Sequence, residues 1–211
     1  MARTSPLRLL VLHALRIKGL AEAEVVADMM DADLEATRAE LAHLGSLELV
    51  SYRYGRIPGF KLTAEGRAHG EELVREELER TGTRPVIARA YEEFLTRNDE
   101  LLAVCTAWQL RDIGGEPQVN DHADAAHDAA VHRRLEALHE QIDPVLEALA
   151  SSLARFGGHR RRLRTALDHV LAGDHDYFTK PMFPSYHSLW FELHEDLLAT
   201  LGTERSPGGN R

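Results

Sequence analysis

The sequence predicts a mainly α-helical protein with one small β-hairpin near its N-terminal end, and three observations carry that expectation. Apolar residues recur at spacings of three and four along most of the 211-residue chain, the period of a helix with one buried face. Only between Leu47 and Leu62 does the pattern change to short runs of strand formers around a glycine-bounded tip. A hydrophobic share of 44%, with no long run of low complexity, suffices for an ordered core.

Leu7, Leu10, Val11, Ala14 and Leu15 form the first helical stripe, and Gly19 stops it. A second, short helix is expected from Ala21 to Asp28, burying Val25 and Val26, and Met29 to Asp33 makes a polar turn with aspartates suited to capping. The third helix starts at Asp33 or Leu34, turns Leu34, Leu41 and Leu44 inward, and ends at Gly45. Strand formers then run from Leu47 to Tyr54 and from Phe60 to Leu62, with Gly55-Arg56-Ile57-Pro58-Gly59 as the hairpin tip. Thr63 is placed to cap a charged helix from Ala64 to Arg80, which Thr81 to Pro85 interrupts.

Beyond this break the chain is expected to be all-helical, over 86–111, 121–156, 159–172 and 185–201. Gly114-Gly115-Glu116-Pro117 is taken as a turn-rich link, and Pro144 is expected to kink the long helix. In that helix Leu135, Leu138, Ile142, Val145, Leu149 and Phe156 make a stripe suited to neighbouring helices or a second subunit. The loop Gly173 to Pro184, with Tyr177, Phe178 and Phe183, is too apolar for a linker, and a disordered tail is expected after Gly202. The expected division is 1–82, 83–202 and a tail of 203–211.

Three helices, the last two joined by a tight turn, followed by a hairpin make a winged helix-turn-helix. That order, closed by Lys61-Leu62-Thr63-Ala64-Glu65-Gly66-Arg67, resembles the winged-helix transcriptional regulators of the MarR and PadR families. In those families a leucine-threonine-x-x-glycine-arginine phrase commonly closes the wing and opens the following helix. The resemblance covers roughly the first 80 residues and implies a homodimer on double-stranded DNA, with the third helix in the major groove and the wing against the backbone or minor groove. The candidate DNA contacts are Thr37, Arg38 and His43 on the third helix, Arg53, Arg56 and Lys61 on the wing, and Arg67 just behind it. Because the third helix also carries Glu35 and Glu40, much of the phosphate contact is expected from the wing.

A net charge of −9 argues against nucleic acid only until its distribution is considered. Residues 1–70 carry nine basic and nine acidic side chains, so the excess negative charge lies beyond them. The acidic helical half is expected to build the dimer and to host a small-molecule effector. Trp108, Gln109, Arg111, Tyr186, His187, Trp190 and His194 are the candidate ligand contacts, as apolar walls with a few polar fixing groups. The alternative for these aromatics is plain helix packing.

Twelve histidines are many for this length, yet no two are four apart, and the five-residue steps from His122 to His127 to His132 do not stack on one helix face. No metal or other cofactor is therefore expected. Cys105, the sole cysteine, lies in an apolar run and is expected to be a buried small residue. No nucleophile beside a base, phosphate loop or metal cluster is legible, so an enzyme active site in the helical half remains only an alternative. A winged-helix module that binds protein is another. No apolar run reaches the roughly 18 residues that cross a bilayer, no signal peptide is apparent, and a cytoplasmic, membrane-free protein is expected.

Overall fold

A computed structural model describes residues 3–203, and the expected tail from residue 204 onward lies outside the described residues. The chain is mainly helical: α1 (Leu7–Lys18), α2 (Ala23–Met30), α3 (Leu34–Ser46), α4 (Ala64–Thr81), α5 (Arg84–Gln109), α6 (Ala125–Ser152), α7 (Gly157–Leu171), α8 (Asp176–Thr179) and α9 (Tyr186–Leu201). Two antiparallel hairpins interrupt them, β1 (Val50–Arg53) with β2 (Gly59–Leu62), and β3 (Leu110–Ile113) with β4 (Glu116–Val119). No helix among the described residues is long and apolar enough to cross a membrane.

Local chemistry sets most of the boundaries. Gly19 ends α1 with φ 72°, a value that suits glycine. The Asp33 carboxylate accepts the Ala36 amide to open α3, and Thr63 Oγ1 accepts the Gly66 amide to open α4. Helix α2 begins two residues later than expected because Ala21 exchanges both backbone hydrogen bonds with Phe60, adding a strand-like rung beside β2. Val25, expected to be buried, faces solvent at 42% exposure, because the helix turns Val26, Met29 and Met30 inward instead. Pro85 opens α5 rather than breaking the chain, since the first turn of a helix needs no amide hydrogen there.

The second half is not all-helical. Gly114 and Gly115, at φ 70° and 90°, turn the chain back on itself and pair Leu110 with Val119 and Ile113 with Glu116. Two consecutive residues with positive φ make the kind of tight turn that closes a two-residue hairpin, and glycine supplies both at no steric cost. The long helix α6 starts at Ala125, where Asp124 caps two amides, and passes through Pro144 without ending. Its expected apolar stripe is consumed inside the chain: Leu135, Leu138, Ile142, Val145 and Leu149 are all buried in one core with residues of α5, α7 and α9. Phe156 joins the same core from a 3-10 turn, Ala154–Phe156.

The described residues form two apolar cores. The first gathers residues of α1, α2, α3 and β1, from Val11 to Val50, with Leu49, Phe60 and Leu62 packed against it. The second gathers residues from Leu78 to Leu201. Close backbone approaches fix elements against them. A Cβ on Gly66 would lie 1.8 Å from the Leu49 carbonyl oxygen, and one on Gly158 would lie 2.5 Å from that of Met29. The glycine in the Lys61 to Arg67 phrase is thus demanded by α4 crossing the chain just before β1.

Gly66→Ala is accordingly expected to lower stability by about 1–3 kcal/mol or more, the usual cost of overpacking a site that cannot yield. Urea denaturation measures it; a variant as stable as the parent would show that α4 can move away from Leu49.

Candidate nucleic-acid interface and the buried ionic junction

The seven candidate DNA contacts fall into different surroundings. Thr37 is fully buried and its hydroxyl donates to the Asp33 carbonyl at 2.8 Å, so it supports α3 from beneath and does not reach the surface. Arg38 and His43 are exposed on α3. The Arg38 guanidinium donates to Glu24 of α2 and Glu35 of α3, so it is held against α2. Those hydrogen bonds lower the Glu24 carboxyl pKa, after its own backbone hydrogen bond, and raise that of Arg38. On the hairpin, Arg53 folds back so that its Nε and Nη2 donate to the Ile57 carbonyl at 3.2 and 2.9 Å. Arg56 at the tip, Lys61 on β2 and Arg67 in the first turn of α4 are exposed. Strand alternation and the pairing of Ser51 with Lys61 put Arg53 and Lys61 on one face, opposite the face of Val50, Tyr52 and Phe60.

The candidate ligand contacts are not brought together. Trp108 is buried and stacks on Phe178 at 4.4 Å, ringed by His122, His132 and His175. Gln109 reaches Thr179 at 3.3 Å, and Arg111 pairs with Asp124 at 2.9 Å and Asp121 at 3.7 Å across the β3–β4 hairpin. Tyr186 is fully buried with its hydroxyl 3.1 Å from His139 Nδ1. Trp190 stacks on Phe94 and donates to Asn98, while His194 lies against Tyr91 and Phe94. Trp108, Tyr186 and Trp190 are packing positions within one core, as the alternative of plain helix packing describes. His187 borders an open groove, which runs between α2, the tip of the first hairpin and the start of α9. Burial lowers its pKa, which favours the neutral ring. Among the described residues no group of three or more acidic, histidine or cysteine side chains has metal-binding geometry.

A cluster that sequence reasoning missed joins the two cores. Arg155, fully enclosed in the 3-10 turn, donates through Nε to Glu77 of α4 at 3.2 Å, through Nη1 to Asp196 of α9 at 2.8 Å, and through Nη2 to Thr200 at 2.8 Å. Asp196 also accepts from Thr200 at 2.9 Å, and its two oxygens meet His13 Nε2 of α1 at 2.7 Å and His159 Nε2 of α7 at 2.8 Å. Since His159 Nδ1 is buried without a partner, the ring's proton belongs on Nε2, where it is donated to Asp196. Ser5 donates to the other Glu77 oxygen. Burial works against ionisation of Asp196, yet the surrounding His13 and Arg155 and the imidazole hydrogen bonds hold its carboxyl well below the usual range. Burial lowers the His13 pKa, with Asp196 opposing in part. One signal was available in the sequence: Asp196 and Glu77 occupy positions on the apolar stripes of their helices, beside Leu193 and Leu197 and beside Val74 and Leu78.

Comparison of the chain with protein-family models, with curated proteins and with solved structures finds no match.

The buried cluster makes stability dependent on pH. His13, with His132, His139 and His187, has a pKa lowered by burial, so the native state binds fewer protons than the unfolded chain below about pH 6.5. Stability is therefore expected to be level above about pH 6.5, to fall as the pH drops below it, and to fall further below about pH 4, where the Asp196 carboxyl takes up a proton in the unfolded chain but not in the native state. Denaturation midpoints measured from pH 8 to pH 3 test this, and a midpoint that rises on acidification from pH 7 to pH 5 contradicts it. Asp196→Asn, which leaves Arg155 facing a neutral amide, is expected to cost about 3–5 kcal/mol.

Proposed function

We propose that this chain is a DNA-binding transcriptional regulator with a winged helix-turn-helix in its first 82 residues, of the kind that the MarR and PadR resemblance implies. The observation that carries the reading is the surface that α3 and the β1–β2 hairpin present together. Helix α3 follows α2 across the three residues 31–33, packs inward through Leu41 and Leu44, and leaves Arg38 and His43 exposed. The hairpin that follows extends Arg56 and Lys61 into solvent, with Arg67 on the adjoining helix. A helix of this exposure fits a major groove, and a basic hairpin beside it suits the phosphate backbone.

In this reading the hairpin supplies most of the phosphate contact, since Arg38 is engaged by two glutamates in the free protein. The protein acts as a homodimer, two half-sites giving the affinity that one weakly basic unit lacks. The apolar stripe of α6 does not serve that dimer, because it is buried within the chain. The competing reading, a winged helix that binds another protein, draws on the same glutamates, which neutralise Arg38 on the surface of α3.

Mobility shift on the DNA flanking the protein's own gene, with an unrelated duplex as control, separates the two. Retardation that weakens steeply with salt is expected, and none at low salt sinks the regulator. Arg53→Ala, Arg56→Ala and Lys61→Ala combined are expected to weaken binding to both duplexes and to reduce the salt slope by about 0.9 for each phosphate that the protein no longer neutralises. Glu24→Gln with Glu35→Gln, which releases Arg38, is expected to tighten binding several-fold; weaker binding would mean that the glutamates position Arg38 rather than neutralise it.

A further inference from the structure

The groove beside His187 has a volume of about 910 Å³ and lies between α2, the tip of the first hairpin, the α8–α9 loop and α9. Val25, Met182 and Phe191 border it as large apolar side chains left exposed, and Phe183 adds a further ring. Its polar lining is unevenly satisfied. The two cations are already engaged: Glu192 accepts from both Lys18 and Arg162, and Asp28 lies 3.5 Å from Arg162 Nε. A ligand anion would compete with carboxylates in place. Among the lining carboxylates, Glu24 is paired with Arg38, Asp28 with Arg161 and Arg162, and Glu192 as described. Glu22 differs, for its partner is the neutral hydroxyl of Tyr52, 2.7 Å away. Arg162, more than nine-tenths buried, also keeps its Nη1 without an acceptor.

We propose that this groove binds a lipophilic organic cation, its charge beside Glu22 and its apolar body on Val25, Phe183 and Phe191. Aromatic faces attract cations and repel anions, so the Phe191 ring and the Glu22 carboxylate, whose partner is a neutral hydroxyl, select the same sign of charge. The apolar wall rewards removal of the ligand's hydrocarbon surface from water. Glu22 is the N-cap residue of α2 and the partner of Tyr52 on β1, so an occupied groove bears directly on the hairpin that carries Arg53 and Arg56. That consequence rests on the proposed DNA function, whereas the binding itself does not.

Equilibrium dialysis of the full chain against tetraphenylphosphonium and tetraphenylborate, alike in shape and opposite in charge, tests the site without DNA. The phosphonium is expected to bind at one per chain and the borate about tenfold or more weaker. Glu22→Gln, which keeps a hydrogen-bond acceptor for Tyr52, is expected to weaken the phosphonium about tenfold with an unchanged thermal midpoint. Phe191→Ala, at an exposed position, is expected to weaken both probes. Equal or tighter binding of the borate, no uptake of the phosphonium, or indifference to Glu22→Gln overturns the proposal. Mobility shift with and without the phosphonium then reads the coupling separately: saturation without any change in DNA affinity leaves the site standing and removes its regulatory role.

Discussion

The Arg155–Asp196 ion pair is the interaction on which the remaining architecture depends. Neither side chain touches solvent, so each charge requires a complete set of partners, and those partners come from elements far apart in the chain: α1, α4, α7 and α9. A buried pair of this kind gains little over well-packed apolar residues, but losing one partner is costly because the other charge remains enclosed. The alternatives it excludes therefore matter more than its own contribution. Sliding α1 or α4 by one turn relative to α9 would deprive Asp196 of its His13 contact or Arg155 of its Glu77 acceptor, leaving the enclosed set of partners incomplete.

That constraint joins two apolar cores that have no reason of their own to meet in one orientation. The first is small, built on three helices and a hairpin, and the second is a larger helical assembly around α6. Apolar contact is non-directional and tolerates many arrangements, whereas hydrogen bonds to a guanidinium and a carboxylate do not. The close backbone approach of Gly158 on α7 to Met29 on α2 completes the placement from the other side. The β1–β2 hairpin is consequently attached to α2 through Ala21 and through the Tyr52–Glu22 hydrogen bond, which gives the groove beside α2 a short physical path to the exposed basic side chains.

Several sequence expectations failed for one shared reason. Trp108, Tyr186 and Trp190 lie on helices at spacings that serve a pocket wall and a packed core equally well, and only the neighbouring elements decide which is made. Here Phe178, His139 and Phe94 fill the space that a ligand would need. Thr37 shows the same limit in reverse, as a polar residue expected at the surface that satisfies its hydroxyl on its own helix and is buried. The β3–β4 hairpin is a different case. Its Gly114-Gly115 signal is present in the sequence, but the flanking strands are four residues each and mostly exposed, so no apolar alternation marks them.

Local sequence determined the helices, their caps and the first hairpin, because capping side chains, glycine stops and apolar periodicity act within a few residues of where they are written. Asp33 and Gly19 each do so without reference to the rest of the chain. The candidate basic side chains of α3 and the hairpin were legible for the same reason, though not that glutamates hold Arg38 or that Arg53 turns back on Ile57. Only the tertiary structure decided the buried cluster, which depends on His13, Glu77, Arg155 and Asp196 meeting across up to 183 residues of chain. It likewise decided the groove, whose lining comes from both halves. Burial and charge pairing are properties of a place in space, and residues distant in sequence create that place together.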